Sequence, residues 1–530
     1  MQLLVSMIPI LVPVILLGVF NMSAVKGMSI SAILIIISSI FVWSVPADAI
    51  GASMLQGIHK TLPIAWILFG ALMLLRALEY TGSIERINIG FTNLTQDMRL
   101  QAILVAFLFG SLIEGVSGFG TPAMVTAPLL ITLGFKPLSA VVLALVSDST
   151  AVSFGAVGTP ITVGLSNATA NAAELNAVSH QVVTLELISG TFVPMLLMML
   201  LVVFLPSQYT SNKMKSALEV APWTLMIGLV YSVTAFFTQT FIGYELTSVV
   251  TPIVVLVFAM ATIKFNILLP KNTKQNPWIQ YPRSTEEAEL KSDMSLFMAW
   301  LPYVLVVSLL VLPKLFAPIN TLLNSAIDLS VNNILGFKGI SSDWLILASP
   351  GTVLLLVSIV TLLMHKKSPI AFQSEVKDIA ISMKSTLSAL VVTLIMVQVF
   401  TNTNFNTANL VSMPNYLASF MATHLNNVWL MIAPVLGAVG SFVTGSATVS
   451  TLTFSSIQAN VATDAGLDKA MVLAAQVIGG AIGNMICIHN IVSVNGVVGF
   501  SGQEGQVLRK TAIPAVIYIV LLVISIYIFL

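Results

Sequence analysis

Glu114 stands in the run GSLIEGVSGFGTP that starts at Gly110. Its carboxyl group lies amid apolar and small residues, where a charge is costly and usually serves function. Two roles are open to it. It binds and releases a proton, or it is a structural carboxylate held by backbone amides. Gly115, Gly118 and Gly120 permit tight turning and close backbone approach. Ser117 and Thr121 add hydroxyls, and Pro122 suits the first turn of a helix. Such a run reads as the tip of a chain that doubles back and offers N–H and hydroxyl donors to an anion; the plainer alternative is helix packing through glycine.

A second carboxylate, Asp148, follows in Ser147-Asp148-Ser149-Thr150, ahead of Ser153 and of GAVGTP from Gly155. It could carry a proton, ligate a cation or cap a helix, and the sequence leaves all three open. The far half of the chain offers Thr444, Gly445, Ser446, Thr448 and Ser450, then Gly479, Gly480, Gly483, Asn484, His489, Asn490 and Asn495. His489 is either a proton carrier or a hydrogen-bonded structural group. The residue types are those of anion binding without a basic side chain: half-helix N-termini carry free N–H groups and partial positive charge. The expected substrate contacts are Ser117, Gly118, Gly120, Thr121, Ser149, Thr150, Thr444, Ser446, Asn484 and Asn490. The expected proton carriers are Glu114, Asp148 and His489.

These residues need a membrane-embedded frame. Of 530 residues, 57% are hydrophobic and 8% are charged, against about 25% charged in a soluble domain. Apolar runs long enough to cross roughly 30 Å of hydrocarbon recur, so the predicted fold is all-α and polytopic. Spans are expected near 3–20, 28–45, 61–80, 181–205, 220–240, 246–263, 295–317, 343–364, 379–400 and 511–530. The first, lacking a basic leader, reads as a retained span. Regions 101–165 and 427–500 break instead at Gly, Ser and Thr. They predict two re-entrant hairpins, each followed by a helix broken in its middle. Irregular backbone at that depth must line an enclosed, wet cavity.

The net charge of +1 gives no hint of nucleic acid, and the single Cys487 excludes an internal disulfide. There is no P-loop, HExxH or GxSxG, so neither ATP-driven transport nor hydrolysis is indicated, and no cofactor or metal site is expected. If 101–133 and 427–458 are hairpins, 16 of the 22 Lys and Arg residues fall on one face, which is then cytoplasmic. Lys60, Lys314, Lys338 and Lys469 fall on the other face, and both termini come out non-cytoplasmic. The chain divides into a first half at 1–263, a polar cytoplasmic linker at 264–294 and a second half at 295–530. GSLIEGVSGFGTP and GSFVTGSATVST from Gly440, with LGFKPLSAVVLAL from Leu133 and AGLDKAMVLAAQV from Ala465, run in the same order. Their opposite insertion makes an inverted repeat, a mark of secondary transporters.

At LPIAW (62–66), 99–143, AVSFGAVGTPI (151–161), FVTGSATVSTLTFSSIQ (442–458) and 479–500 the sequence resembles the lactate permease family of bacterial 2-hydroxy-monocarboxylate transporters. The resemblance implies proton-coupled uptake of lactate, glycolate or a similar small organic anion across the bacterial plasma membrane. It also looks like a wider group of elevator-type transporters, often dimeric, which implies a homodimer. This chain has Asp148-Ser149-Thr150-Ala151 where the family usually has Asn-Thr and then Ala-Pro. Asn484 stands where relatives tend to have Lys, and Ile488-His489-Asn490-Ile491 where they have Ser-Pro-Gln-Ser. A sodium-coupled or exchanging carrier is the runner-up reading; from different classes come a passive anion channel and, third, a membrane-embedded hydrolase, for which no nucleophile–base pair is visible.

Overall fold

In lipid, backbone N–H and C=O groups find partners only in one another, and helices satisfy that within one segment. The computed structural model accordingly forms helices almost throughout. It describes all residues except 21, 117, 119, 167, 170, 205–212, 270–277, 279–293, 368–372 and 426–427. Among the described residues the extended pairing is limited to two isolated bridges, Asp328–Leu345 and Val331–Ser342. Nine helices there are long and apolar enough to cross a membrane. The protein is all-α and polytopic.

Several expected spans recur with small shifts: Ala24–Phe41, Ala221–Phe241, Thr247–Lys264, Leu296–Leu315, Gln373–Thr401 and Glu504–Phe529. Others differ for physical reasons. The 61–80 span is the end of a 35-residue helix, Ala47–Thr81. The 343–364 span starts only at Pro350, capped by the Ser349 hydroxyl on the Gly351 N–H at 3.3 Å. Residues 3–20 form three short pieces, Gln2–Ser6, Ile8–Pro13 and the π-helical Val14–Val19. Pro9 and Pro13 fall within the middle piece, and each removes a helical hydrogen bond. The 264–294 linker lies almost wholly outside the described residues.

Both irregular regions fold as a helical hairpin followed by an interrupted helix. In the first, Met98–Ala102, Ile103–Phe109 and Gly110–Val116 lead to a turn with Gly118 and Gly120 at positive φ, and Thr121–Thr132 returns. Pro137–Val152 and Gly155–Thr162 follow, bent by 55°. In the second, Trp429–Thr444 turns at Gly445 into Ala447–Asp464, and Lys469–Asn484 and Ile488–Val497 follow. That second interruption is gentler, and Lys469–Val497 reads as one span. The first bend is sharp because Ala156, Val157 and Gly158 are left-handed in succession, at φ 46, 58 and 77°. A left-handed non-glycine residue costs roughly 1–2 kcal/mol, and β-branched Val157 is a true outlier there.

Burial separates two kinds of helix. Residues 98–115 and 469–497 are enclosed almost throughout. Ile33, Phe237, Val257, Phe297 and Val516 on the outer helices are exposed, as expected of lipid-facing positions. A frame helix, Ala47–Thr81, packs along Pro350–Met364 and Gln373–Thr401. Trp66 Nε1 donates to Thr352 Oγ1 at 2.8 Å, and Asn402 Nδ2 donates to Gln56 Oε1 at 2.7 Å. At the start of the first hairpin Arg99 is fully buried, paired with Asp97 at 2.6 Å and donating to the Ser216 carbonyl at 2.6 Å. A buried guanidinium is tolerable only with its donors used in this way.

Candidate functional site

The first hairpin carries Glu114 on Gly110–Val116, and the helix behind it carries Asp148 on Pro137–Val152. Both are about 3% exposed. Their carboxyl groups face each other, and among the described residues no N–H or O–H donor reaches Glu114 Oε2 or Asp148 Oδ1. Glu114 also presses on the bend. A Cβ at position 155 would collide with Glu114 Oε1, so Gly155 is required by this approach. The sharp bend and the carboxyl pair are thus one construction.

Glu114 borders a small inner cavity between the two hairpins, with Asp148 behind it. Its lining includes Glu114, Gly118, Gly155, Ala156 and Pro160 from the first half, and Gly445, Ser446, Ala447, Thr448 and Asn484 from the second. It encloses about 20 Å³, room for about one water. Among the described residues no Lys or Arg lines it. The helix Ala447–Asp464 begins on its wall, and a first turn leaves its leading N–H groups without helical partners. Ser446 caps that helix, its Oγ accepting from the Val449 N–H at 3.3 Å. Asn484 Oδ1 accepts from Asn490 Nδ2 at 2.7 Å. Asn490 in turn packs on Gly120, where a Cβ would stand 2.9 Å from its Oδ1. Both halves therefore meet at this point.

The other expected residues are placed as follows. Thr121 is buried with no partner for its hydroxyl, behind rather than on the cavity wall. Ser149 donates to the Val146 carbonyl at 2.7 Å. Thr150 turns toward the Tyr518 hydroxyl on the last helix, without closing a hydrogen bond. Ser117 lies outside the described residues. Thr444 and His489 line a second, larger cavity across the 444–446 tip, which shares Gly445 and Ser446 with the inner one. The His489 ring fills the space a Cβ on Gly445 would need, and Gly445 has φ +74°. His489 therefore stands on the tip, apart from the carboxyl pair.

Sequence reasoning passed over Glu186 and Lys60. Glu186, on Ala172–Ser189, is a third buried carboxyl, accepting from Ser153 Oγ at 3.2 Å beside the bend. The rule that singled out Glu114, a carboxylate at membrane depth, would have found it. Lys60 lines the larger cavity. The polar trio Gln56, His59 and Lys60 lowers hydropathy there, so no span was expected before residue 61.

The family model described as L-lactate permease matches residues 2–530. The L-lactate permease of Bacillus subtilis (strain 168) is 28% identical over 554 residues, covering 96% of this chain and 93% of the relative. The glycolate permease GlcA of Escherichia coli (strain K12) is 27% identical over 551 residues, covering 97% and 93%. Among solved structures, MtrF of Neisseria gonorrhoeae, from a class of antimetabolite efflux pumps, overlays with 14% identity and a TM-score of 0.37. The overlay covers 97% of this chain and 96% of that one, a likeness too distant to fix the fold.

Proposed function

The chain belongs to the L-lactate permease family, and from that premise we propose that it takes up L-lactate or a related 2-hydroxy monocarboxylate such as glycolate, with a proton accompanying the anion. It is a multi-pass protein of the bacterial plasma membrane. The observation that carries the proton-coupled reading is the sign of charge at the inner cavity. The Glu114 carboxyl lines it, with Asp148 against that carboxyl, and among the described residues no Lys or Arg lines the wall. Two carboxyls hydrogen-bond to each other only when one holds a proton. Each ionised carboxylate about 4 Å from a substrate carboxylate repels it by roughly 4 kcal/mol at an effective dielectric constant of about 20. A proton on Glu114, the carboxyl on the cavity wall, removes its share of that repulsion. Anion and proton then favour each other's binding, reciprocally.

The attraction comes from the uncovered N–H groups at the start of Ala447–Asp464 and from the Ser446 hydroxyl. The inner cavity holds about one water, so the hairpin tips part to admit substrate. In this reading 1–263 and 295–530 are repeats of opposite orientation, and the hairpin units move together against the frame helices of a homodimer. Counterflow in proteoliposomes tests the carrier reading. Lactate or glycolate loaded on the trans side should accelerate entry of labelled substrate. Entry indifferent to trans substrate would overturn it in favour of a passive pore.

A further inference from the structure

The larger cavity, about 520 Å³, lies between the frame helices and the second hairpin. Its walls are mostly apolar, from Pro63, Ile64, Ile67, Leu394 and Val397, and it ends at Thr444, Gly445 and Ser446. Among the described residues Lys60 is the Lys or Arg that lines it. Lys60 Nζ donates to Gln398 Oε1 at 3.1 Å, which leaves two of its three N–H donors for other acceptors. Asp343 lies on the same wall and feels the Lys60 charge. Trp344, also on the wall, has an indole N–H with no partner. Apolar walls lower the local dielectric and strengthen any ion pair formed against them. The inner cavity has the opposite character: the Glu114 carboxyl, no cation among the described residues, and room for one water.

We propose that the larger cavity is a capture subsite for the small carboxylate, with the Lys60 ammonium as its cationic anchor and the 444–446 tip as the partition the anion passes to reach the inner cavity. This rests on the permease reading. The Lys60 ammonium draws the anion in and holds it through a charge-assisted hydrogen bond. The anion competes with Asp343 for that ammonium. Opening of the tip then hands it to the N–H groups of Ala447–Asp464. Lys60 is a capture residue and takes no part in proton transfer.

The test is uptake of labelled L-lactate and glycolate by proteoliposomes, alongside cysteine protection. Loss of a charged hydrogen bond in Lys60→Gln should raise KM roughly 10-fold to 100-fold, while the rate at saturating substrate holds. Lys60→Arg should stay near the wild-type KM. Asp343→Asn, which removes the competing carboxylate, should lower KM. Ala348 is exposed on the cavity wall. In a Cys487→Ala background, L-lactate should shield Ala348→Cys from an anionic methanethiosulfonate, and adding Lys60→Gln should abolish the shielding. An unchanged KM in Lys60→Gln, or no shielding at Ala348→Cys, overturns the subsite. Shielding is read without transport. Shielding with no uptake by the unmutated protein would therefore sink the permease reading and leave the subsite standing.

Discussion

Replacing Glu114 by Gln isolates the proton from everything else the side chain does. Gln keeps the shape and supplies a permanent amide donor to Asp148, so the contact survives without a shared proton. The folded protein should change little, within about 1 kcal/mol, the net worth of one hydrogen bond. Transport should change much more. With one proton shared by the carboxyl pair in each cycle, a pH step of one unit drives accumulation of about 10-fold, since one unit is about 1.4 kcal/mol. In Glu114→Gln that ratio should fall to about 1, because the amide has no proton to release. Counterflow should persist, since the amide mimics the protonated carboxyl. The apparent affinity should also lose its dependence on pH. The assay is labelled lactate in proteoliposomes under an imposed pH step, corrected against protein-free vesicles for diffusion of the free acid. Glu114→Ala is the contrasting variant. It leaves Asp148 unpaired and opens space, which should cost about 1–3 kcal/mol of stability. Wild-type accumulation in folded Glu114→Gln would refute the proton assignment. Loss of counterflow in that variant would instead make Glu114 a substrate ligand.

Other outcomes follow from the same geometry. Ser446→Ala removes an anion donor and a helix cap, so apparent affinity should fall roughly 10-fold to 100-fold and stability by about 1 kcal/mol, read by uptake kinetics and thermal melts. Thr121→Val should leave stability intact, since that hydroxyl has no partner, and an affinity loss equal to that of Ser446→Ala would bring Thr121 to the substrate. Gly445→Ala should stop transport by driving a methyl into the His489 ring, and the double variant with His489→Ala should recover part of it; a fully active single variant would contradict the packing of the tip. For topology, Arg99 is too buried to label, so exposed sites serve: in a Cys487→Ala background Thr407→Cys and Lys338→Cys should label from outside and Lys366→Cys should not, and the reverse pattern would overturn the sidedness assigned to the second half.

The sequence shows the hairpins more clearly than the frame around them. A Gly-rich break inside an apolar run has few explanations in lipid, so the turns at Gly118 and Gly445 and the bend at Gly155 were legible from composition alone. The register of individual side chains was not. Ser149 and Thr150 follow Asp148 directly, yet helical geometry turns one hydroxyl to its own backbone and the other toward Tyr518. Hydropathy reports contact with lipid and cannot tell a loop from a helix that faces a cavity. That is why the sequence predicts no span over 47–60 or 413–425, although helices form there. Nor does any local signal put Val157 in a left-handed conformation. The bend that holds it packs at Gly155 against the Glu114 carboxyl, 41 positions away in the chain.

The central claim is that a small 2-hydroxy carboxylate enters with a proton. Its most direct test is uptake by reconstituted protein under separately imposed proton and sodium gradients, across lactate, glycolate and other small carboxylates. The account predicts accumulation of L-lactate or glycolate driven by the inward proton gradient and abolished by a protonophore, with the sodium gradient alone giving none. Accumulation driven by sodium and unmoved by collapse of the proton gradient would contradict it.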